Sequence, residues 1–272
     1  MAEVTRPQTP KTLRLMTVAG SDSGGGAGIQ ADLKTFAALG AYGTSVITVI
    51  TAQNTLGVTD VHEVPVATIG AQIDAVLEDI GADAVKTGML ASAEIVEAVA
   101  AGLKRHDVGV LVVDPVMVAT TGARLLREDA QDALTAHLLP MATLVTPNVQ
   151  EASALVGRPI ETMEQIKDAA RAIAEMGAKA VVITGGLGSG PATDLLYVDG
   201  EFKAYTNARV ATTSTHGTGC TFASAAAVGL AKGMDVRDAV AGAKRYVHAA
   251  IRGAYPVGSG NGPVDHFYDR TV

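Results

Sequence analysis

The sequence predicts an α/β fold in which a central, mostly parallel sheet lies between two layers of helices. Apolar runs of strand length alternate with helical patterns along the whole chain, and this alternation specifies right-handed βαβ units. With 48% hydrophobic and 18% charged residues, the chain can bury a sizeable core, which excludes global disorder. The 272 residues show no linker and no shift in composition, so we expect a single domain over 13–272, preceded by a disordered segment over 1–12.

The predicted strands are short runs rich in Val, Ile and Leu. The last two flank Asp199-Gly200, a two-residue signal for a β-hairpin. In chain order the expected strands are Leu13–Ala19, Ser45–Ile50, Ala84–Lys86, Val108–Val113, Leu144–Thr146, Ala180–Thr184, Leu195–Val198 and Phe202–Tyr205.

The predicted helices carry apolar residues at helical spacing. They are Ile29–Leu39, Ile69–Ile80, Ala93–Arg105, Val149–Val156, Glu164–Met176, Thr218–Ala231 and Val236–Tyr255. Because such sheets bind ligands beyond the carboxyl ends of their strands, the residues that follow each strand are the candidates for function.

The composition excludes several classes of function. A net charge of −7 and the absence of Trp argue against a nucleic-acid surface, which needs basic patches and stacking aromatic rings. The single cysteine, Cys220, cannot form an internal disulfide or a cysteine-based zinc site. The N-terminal segment 1–12 is polar and lacks the apolar core of a signal peptide, and no stretch of about 18 apolar residues follows it. We therefore expect no signal peptide, no membrane segment and a cytoplasmic location.

The segment that follows the first predicted strand, 20–28, reads GSDSGGGAG. Glycines in this place suit a phosphate-binding loop, but their spacing is not the GxGxxG of dinucleotide-binding folds. The second strand is followed by Gln53 rather than by an acidic residue that would hold a ribose. A turn that needs positive φ angles is the structural alternative. The chain also has no GxxxxGKS/T motif, so it is not a P-loop protein.

A second glycine-rich segment, 215–221, reads THGTGCT and leads into an Ala-rich helix. Gly217 and Gly219 let the N–H groups around Thr218 point at one spot, and the helix N-terminus adds about half a positive charge there. This is a candidate anion hole for a phosphoryl group in transfer. Cys220 lies at the same N-terminus, which predicts a lowered thiol pKa; a buried structural cysteine is the alternative.

Carboxylates follow two other predicted strands. Asp114 comes directly after the fourth strand, where it is either a ligand of Mg²⁺ through water or a turn residue. Asn148 and Glu151 follow the next strand. Glu151 either meets Mg²⁺-bound water or closes a capping box with Asn148.

Six segments carry a family resemblance when taken together: AGSDSGGGAGIQADLKTF (19–36), TAQNTLGV (51–58), KTGML (86–90), VDPVM (113–117), TPNVQEA (146–152) and THGTGCTFASA (215–225). They resemble the hydroxymethylpyrimidine/phosphomethylpyrimidine kinases of thiamine biosynthesis, a branch of the ribokinase-like superfamily. The resemblance extends from about Leu13 to the segment 260–267.

The resemblance implies a ribokinase-like fold, a homodimer, and transfer of the ATP γ-phosphate in the presence of Mg²⁺. The acceptor would be the hydroxymethyl group of 4-amino-5-hydroxymethyl-2-methylpyrimidine and then its monophosphate. The Gln53 amide would bind the pyrimidine, since it both donates and accepts, and Cys220 would take the proton of the substrate hydroxyl. The other implied residues are Gly20, Asp22, Met89 and Val116 for substrate, Gly217, Thr218 and Gly219 for the anion hole, Asn148, Thr184 and Gly186 for nucleotide, and Asp114 and Glu151 for metal.

One departure from the family pattern concerns ATP. The family usually shows Lys-Gly-Gly-His where this chain has Thr184, Gly185, Gly186 and Leu187. A threonine hydroxyl donates a neutral hydrogen bond, which is weaker than the charge-assisted bond of a lysine. Either Lys86 or another base compensates, or the use of ATP is impaired.

Two alternatives to the pyrimidine kinase therefore stay open. One is a pyridoxal or pyridoxine kinase on the same scaffold, because pyridoxine carries a similar hydroxymethyl group on a heteroaromatic ring. The other is a catalytically impaired pyrimidine-binding protein, which the missing lysine motivates.

Overall fold

The structure, a computed structural model, describes residues 12–117, 127–188 and 190–269, so the predicted disordered segment 1–12 lies outside them except for Thr12. The strands are β1 (Arg14–Asp22), β2 (Tyr42–Gln53), β3 (Val58–Glu63), β4 (Ala84–Thr87), β5 (Leu111–Val113), β6 (Leu144–Val145), β7 (Ala180–Ile183), β8 (Ala192–Val198) and β9 (Glu201–Asn207). The helices are α1 (Gly28–Ala38), α2 (Val66–Asp79), α3 (Ala93–Arg105), α4 (Glu128–Ala133), α5 (Val149–Val156), α6 (Met163–Glu175), α7 (Thr218–Ala231) and α8 (Val236–Arg252). A π-helical turn (Leu134–Leu138) and a 3₁₀ turn (Leu139–Met141) continue α4.

All of these strands belong to one sheet, in the order β3-β2-β1-β4-β5-β6-β7-β8-β9. The strands from β2 to β7 in this order pair in parallel, whereas β3, β8 and β9 are antiparallel to their neighbours. The prediction of a mostly parallel sheet is confirmed. The carboxyl ends of the parallel strands therefore meet along one edge, which is where such sheets bind ligands.

Helices cover both faces of the sheet. Alternate strand residues point to opposite faces, so Leu15 joins one core and Met16 the other. On the face of Leu15, helices α1, α7 and α8 contribute Phe36, Phe222 and Tyr246. Helices α2, α3, α5 and α6 cover the face of Met16, which completes the three predicted layers. Among the helices of the described ranges, none has the length and apolar character needed to cross a membrane.

Several predicted boundaries are confirmed and others are corrected. Helices α3, α5 and α7 have the predicted bounds. Strand β1 continues past Ala19 to Asp22, with an irregular register against β2 between Ala19 and Ser21, so the glycine-rich segment begins as strand. Helix α8 ends at Arg252 rather than at Tyr255.

Two parts of the structure were not predicted, and one predicted strand is shorter. Strand β3 is a largely exposed edge strand, so it lacks the apolar alternation that indicates a strand. The six residues of α4 are too few for a helical pattern to stand out. The strand predicted over Val108–Val113 begins at Leu111, because the Val108 N–H donates to the Leu103 carbonyl at the end of α3.

The hairpin between β8 and β9 confirms the predicted Asp199-Gly200 turn. The φ angles are +53° at Asp199 and +79° at Gly200, and two positive φ angles define the type I′ turn that suits a twisted hairpin.

We predict opposite effects for the same substitution at two glycines. Gly200→Ala places a side chain in the left-handed region and is expected to lower the free energy of unfolding by about 1–2 kcal/mol. Gly70 lies inside α2 with open space where a Cβ would stand, so Gly70→Ala is expected to raise it by about 0.5–1 kcal/mol. Urea unfolding followed by circular dichroism measures both changes. Changes of the same sign in the two variants would contradict this interpretation of the turn.

Candidate active site

A cavity of about 810 Å³ opens at the edge where the carboxyl ends of the parallel strands meet. It brings together residues from both glycine-rich segments and from the ends of several strands. The predicted site residues that line it are Gly20, Asp22, Gln53, Met89, Asp114, Val116, Asn148, Glu151, Thr184, Gly217, Thr218, Gly219 and Cys220. Gly186 is not among them, and a Cβ there would stand 3.1 Å from the Thr193 backbone nitrogen in β8; Gly185 lines the cavity instead.

The Asp22 carboxylate organises the first glycine-rich loop. It accepts hydrogen bonds from the backbone N–H groups of Gly24 (2.8 Å), Gly26 (3.0 Å) and Ala27 (2.8 Å). Gly25 and Gly28 have positive φ angles, which confirms the predicted turn. Because the Asp22 carboxylate accepts three backbone hydrogen bonds, it stabilises the conformation of its own loop.

His216 joins the two glycine-rich segments. Its Nε2 lies 2.8 Å from Asp22 Oδ2 and 3.3 Å from the Gln53 amide nitrogen. Burial opposes ionisation of Asp22, but the hydrogen bonds from His216 and from the loop N–H groups outweigh it and lower the pKa of this carboxyl group. Gly217 has φ +82°, and a Cβ there would stand 1.8 Å from the Gly26 carbonyl oxygen, so only glycine permits the two loops to meet this closely.

Gln53 and three apolar residues form one wall of the cavity. The Gln53 side chain is half-buried, and its Oε1 accepts a hydrogen bond from Thr51 Oγ1 at 3.1 Å. A Cβ on Gly20 would stand 3.3 Å from Met89 Sδ, so the glycine makes room for the methionine. With Val116, this wall offers apolar surface and one amide, which suits a small polar heteroaromatic ring.

The first turn of α7 lies at the position of the predicted anion hole. The helix begins directly after Gly217, which has no side chain to cap the first N–H groups. Thr218 and Gly219 line the cavity, and nothing lies within 4 Å of the place where a Gly219 Cβ would stand. Backbone N–H groups at an open helix N-terminus are an anion-binding arrangement.

Cys220 lies where the sequence predicts it, but its predicted ionisation is wrong. Burial raises the pKa of its thiol to about 12. The Lys86 ammonium favours the thiolate, whereas the nearby Asp114 and Asp32 carboxylates oppose it. Burial and these carboxylates therefore raise the pKa of the thiol, opposite to the direction that the sequence predicts.

A buried ion cluster lies beneath the cavity. Lys86 is fully buried, with its Nζ 3.1 Å from Asp32 Oδ2 and 3.5 Å from Asp114 Oδ2. Thr17 Oγ1 donates to Asp32 Oδ2 at 2.6 Å and Ser224 Oγ donates to Asp32 Oδ1 at 2.7 Å. Burial alone lowers the pKa of an ammonium, but the surrounding carboxylates reverse this and raise the pKa of Lys86. Because Lys86 does not line the cavity, it does not replace the missing family lysine.

Asp114 and Glu151 are two buried carboxylates at the cavity wall. Glu151 Oε2 accepts from the Asn148 N–H at 2.9 Å, and Asn148 Oδ1 accepts from the Glu151 N–H at 2.9 Å, so the capping-box alternative is confirmed. Burial together with the Asp114 charge raises the pKa of Glu151 to about 8. Burial likewise raises the pKa of Asp114, and its Oδ2 has only the long 3.5 Å contact with Lys86 Nζ and no regular hydrogen bond within the described part of the chain. Two neighbouring buried carboxylates, one of them incompletely hydrogen-bonded, fit a divalent cation.

The end of the cavity next to β7 is lined by Thr184, Gly185, Asp194, Arg209 and Lys244. The Thr184 N–H donates to the Pro147 carbonyl at 2.9 Å. Asp194 Oδ1 lies 2.9 Å from Lys244 Nζ. Arg209 and Lys244 therefore bring permanent positive charge to this end of the cavity, which the sequence did not predict.

Comparison with known proteins agrees with this geometry. The family model described as phosphomethylpyrimidine kinase matches residues 22–265. The chain belongs to this family.

Relatives and solved structures place the chain among vitamin kinases. The thiamine biosynthesis bifunctional protein ThiED of Geobacter sulfurreducens is 52% identical over 253 residues, which are 93% of this chain and 52% of that protein, so the chain spans about half of it. A hydroxymethylpyrimidine/phosphomethylpyrimidine kinase of Rhizobium meliloti is 51% identical over 257 residues, 93% of this chain and 96% of that protein. The crystal structure of an ADP complex of Bacillus subtilis pyridoxal kinase has a TM-score of 0.87 at 40% identity and covers 94% of this chain and 97% of that one. The predicted family and the ribokinase-like fold are confirmed.

Sequence reasoning missed three residues that line the cavity, His216, Arg209 and Lys244, and Asp32 in the buried ion cluster beneath it. Asp32 and His216 lie inside the motifs that identify the family, but neither directly follows a strand. For Asp32 a signal exists, since it lies on the buried face of α1 among apolar residues. Arg209 and Lys244 have no local signal, because the fold alone brings them to the cavity.

His266 supports the N-terminal end of α7 from behind. Its Nε2 lies 3.0 Å from Thr221 Oγ1, and this hydroxyl donates to the Gly217 carbonyl at 2.8 Å. The Tyr246 hydroxyl donates to the His266 carbonyl at 2.7 Å. Burial, with a smaller contribution from Lys34, lowers the pKa of His266 to about 4, so the imidazole is neutral at pH 7.

We predict that acid destabilises the protein through His266. The unfolded chain binds a proton on this residue below pH about 6.5 and the folded chain only below about 4, so the free energy of unfolding falls by about 3 kcal/mol across this window. His266→Gln keeps an N–H donor for Thr221 without a titrating group, and it is expected to flatten this part of the pH profile. His137→Gln, at an exposed histidine, is the matched control. Equal slopes between pH about 4 and 6.5 in the unaltered chain and in H266Q, measured by urea unfolding, would contradict the prediction.

Proposed function

We propose that the chain is an ATP-dependent kinase of thiamine biosynthesis. It phosphorylates the hydroxymethyl group of 4-amino-5-hydroxymethyl-2-methylpyrimidine and then phosphorylates the resulting monophosphate. The observation that carries the proposal is that one cavity is lined by an amide, an open helix N-terminus and two coupled carboxylates. Phosphoryl transfer needs this combination of positioning and charge stabilisation more than covalent chemistry.

The pyrimidine binds against Gln53, Met89, Val116 and Gly20 in this proposal. The Gln53 amide offers a donor and an acceptor to the aminopyrimidine edge, and the other three residues contact the ring. Asp22 contributes through its loop, because its carboxylate is already bound to His216 and to three backbone N–H groups.

The transferred phosphoryl group lies at the N-terminus of α7, where the N–H groups around Gly217, Thr218 and Gly219 stabilise the developing negative charge. Asn148 and Thr184 face the nucleotide. Asp114 and Glu151 would hold Mg²⁺, which when bound offsets the charge of the ATP phosphates.

Cys220 takes the proton of the substrate hydroxyl in this proposal. Its thiol is protonated in the free protein, since burial and the Asp114 and Asp32 carboxylates raise its pKa. Asp114 and Glu151, if they held a cation, would oppose ionisation of the thiol less strongly. The Lys86 ammonium favours the thiolate, so Cys220 would act as a base only when the cation is bound.

Further parts of the proposal concern organisation and location. We propose a single domain over 13–272, a homodimer and a cytoplasmic location, where ATP is available. Ile50 and Val61 lie on opposite faces of the adjacent strands β2 and β3 at the edge of the sheet, and they are 48% and 44% exposed. Exposed apolar side chains at this edge support a contact between two copies. Sedimentation velocity measures the oligomeric state.

A kinase assay tests the function. ADP formation is measured with Mg·ATP and each of three acceptors: the hydroxymethylpyrimidine, its monophosphate and pyridoxal. We expect a higher kcat/KM for the pyrimidines. The structural similarity to a pyridoxal kinase supports pyridoxal as the second candidate, and a higher kcat/KM for pyridoxal would establish it. Pyrimidine binding without ADP formation would indicate an impaired binding protein.

We predict that Cys220→Ala lowers kcat by about 10²–10³-fold, because proton transfer loses its acceptor. Cys220→Ser is expected to retain more activity than Cys220→Ala, since its hydroxyl still accepts a hydrogen bond. Pyrimidine affinity, measured by calorimetry, is expected to stay the same in both. An unchanged kcat in both variants would exclude a role for the thiol.

We also predict that Glu151→Gln raises the Mg²⁺ concentration for half-maximal activity by at least about tenfold, because a carboxylate is a far better Mg²⁺ ligand than an amide. Glutamine still closes the capping box, so helix α5 is expected to be retained. Glu175→Gln, at the end of α6 and away from the cavity, is the control. The same Mg²⁺ dependence in E151Q and E175Q would contradict the assignment of the metal site.

A further inference from the structure

We propose that Lys244 supplies the positive charge to the nucleotide phosphates in place of the lysine that Thr184 replaces. This inference rests on the proposed ATP-dependent function and adds to it a residue that binds the co-substrate. It also explains how the chain compensates for its departure from the family pattern.

Thr184 brings no charge to the cavity. Its N–H donates to the Pro147 carbonyl at 2.9 Å, and its hydroxyl lies 3.5 Å from the same oxygen. A triphosphate carries several negative charges, and neutral donors bind them more weakly than charged donors do. The site therefore needs a cationic side chain near the end of β7.

Of the described residues that line the cavity, Arg209 and Lys244 are the two with a permanent positive charge. Arg209 donates from Nε to the Gly190 carbonyl and from Nη2 to the Gly185 carbonyl, each at 3.0 Å. It therefore holds the chain that follows β7. Lys86 is buried in its own ion cluster away from the cavity wall, which leaves Lys244.

Lys244 reaches the position next to Thr184 from a distant part of the chain. Asp194 Oδ1 lies 2.9 Å from Lys244 Nζ and accepts the Gly185 N–H, also at 2.9 Å. One carboxylate oxygen thus joins the ammonium to the residue directly after Thr184. An ammonium has three N–H donors, so two are left for phosphate oxygens while Asp194 holds the side chain in place.

The buried position of Lys244 strengthens the attraction of its ammonium to a phosphate. The Lys244 side chain is 12% exposed and the Asp194 side chain 4% exposed, so water screens the attraction to a phosphate less than it would at the surface. Val247, His248 and Ile251 line the same cavity, and their spacing places them on the helix face of Lys244. A whole face of α8 is therefore turned toward the ligand.

The test compares two variants that both have a neutral residue at position 194. D194N keeps the lysine and leaves an amide oxygen that still accepts from its ammonium, and D194N/K244Q removes the lysine, so neither leaves a buried carboxylate without its partner. Isothermal titration calorimetry measures the Kd of each for ATP and for adenosine. We expect D194N/K244Q to bind ATP about 10–100-fold more weakly than D194N, the usual effect of a hydrogen bond to a charged group. Adenosine has no phosphate, so its affinity is expected to be the same in both.

Two further variants complete the design. Adding T184K to D194N/K244Q returns an ammonium to the end of β7, and it is expected to recover ATP affinity by about tenfold or more. R245Q removes an exposed charge one residue along α8 that does not line the cavity, and it is expected to bind ATP as the unaltered chain does.

Equal ATP affinity in D194N and D194N/K244Q would overturn the proposal. A parallel loss of ATP and adenosine binding would also overturn it, because it would indicate that Lys244 only supports the fold. Should the double variant not fold, K244R and K244Q are compared in the same way, and ATP affinity must follow the charge. If the unaltered chain binds ATP with the predicted dependence on Lys244 but phosphorylates none of the three acceptors, the inference stands and the proposed function fails.

Discussion

One buried charge, the Lys86 ammonium, organises the carboxyl edge of the sheet. It contacts Asp32 at 3.1 Å and Asp114 at 3.5 Å, so it joins β4 to α1 and to the residue that follows β5. Ser224 of α7 donates to Asp32 from the other side. Because a buried ammonium without its carboxylates costs several kcal/mol, these elements and the N-terminus of α7 must stay together.

The same cluster sets the protonation of the cavity. Burial and the charge of nearby carboxylates raise the pKa of Asp114, Glu151 and Cys220. The Lys86 ammonium opposes this rise at Asp114 and Cys220. Asp114 and Glu151 therefore favour a cation, whereas the backbone N–H groups at the start of α7 and the Lys244 ammonium attract an anion. This division of charge explains how a chain with a net charge of −7 binds a triphosphate without a basic patch.

Local patterns were sufficient for most of the fold and for the position of the site. The strand-end rule placed Gln53, Asp114, Asn148 and Thr184 at one edge, and all four line the cavity, because parallel strands bring their carboxyl ends together. The pattern did not indicate strand β3, which is largely exposed, or α4, which is short. Glycine spacing indicated where the loops turn but not that Gly217 meets Gly26.

By itself, the sequence determined the three-layer fold, the family and the identity of the residues that follow each strand, because these depend on local periodicity and on contiguous motifs. Only the tertiary structure decided how those residues are charged and which partners they have. The contacts His216–Asp22 and Lys86–Asp32 join residues that are 194 and 54 positions apart. The cost of ionising a group depends on its burial and on charges from other elements. For this reason the Cys220 thiol, placed correctly by its motif, is protonated rather than ionised.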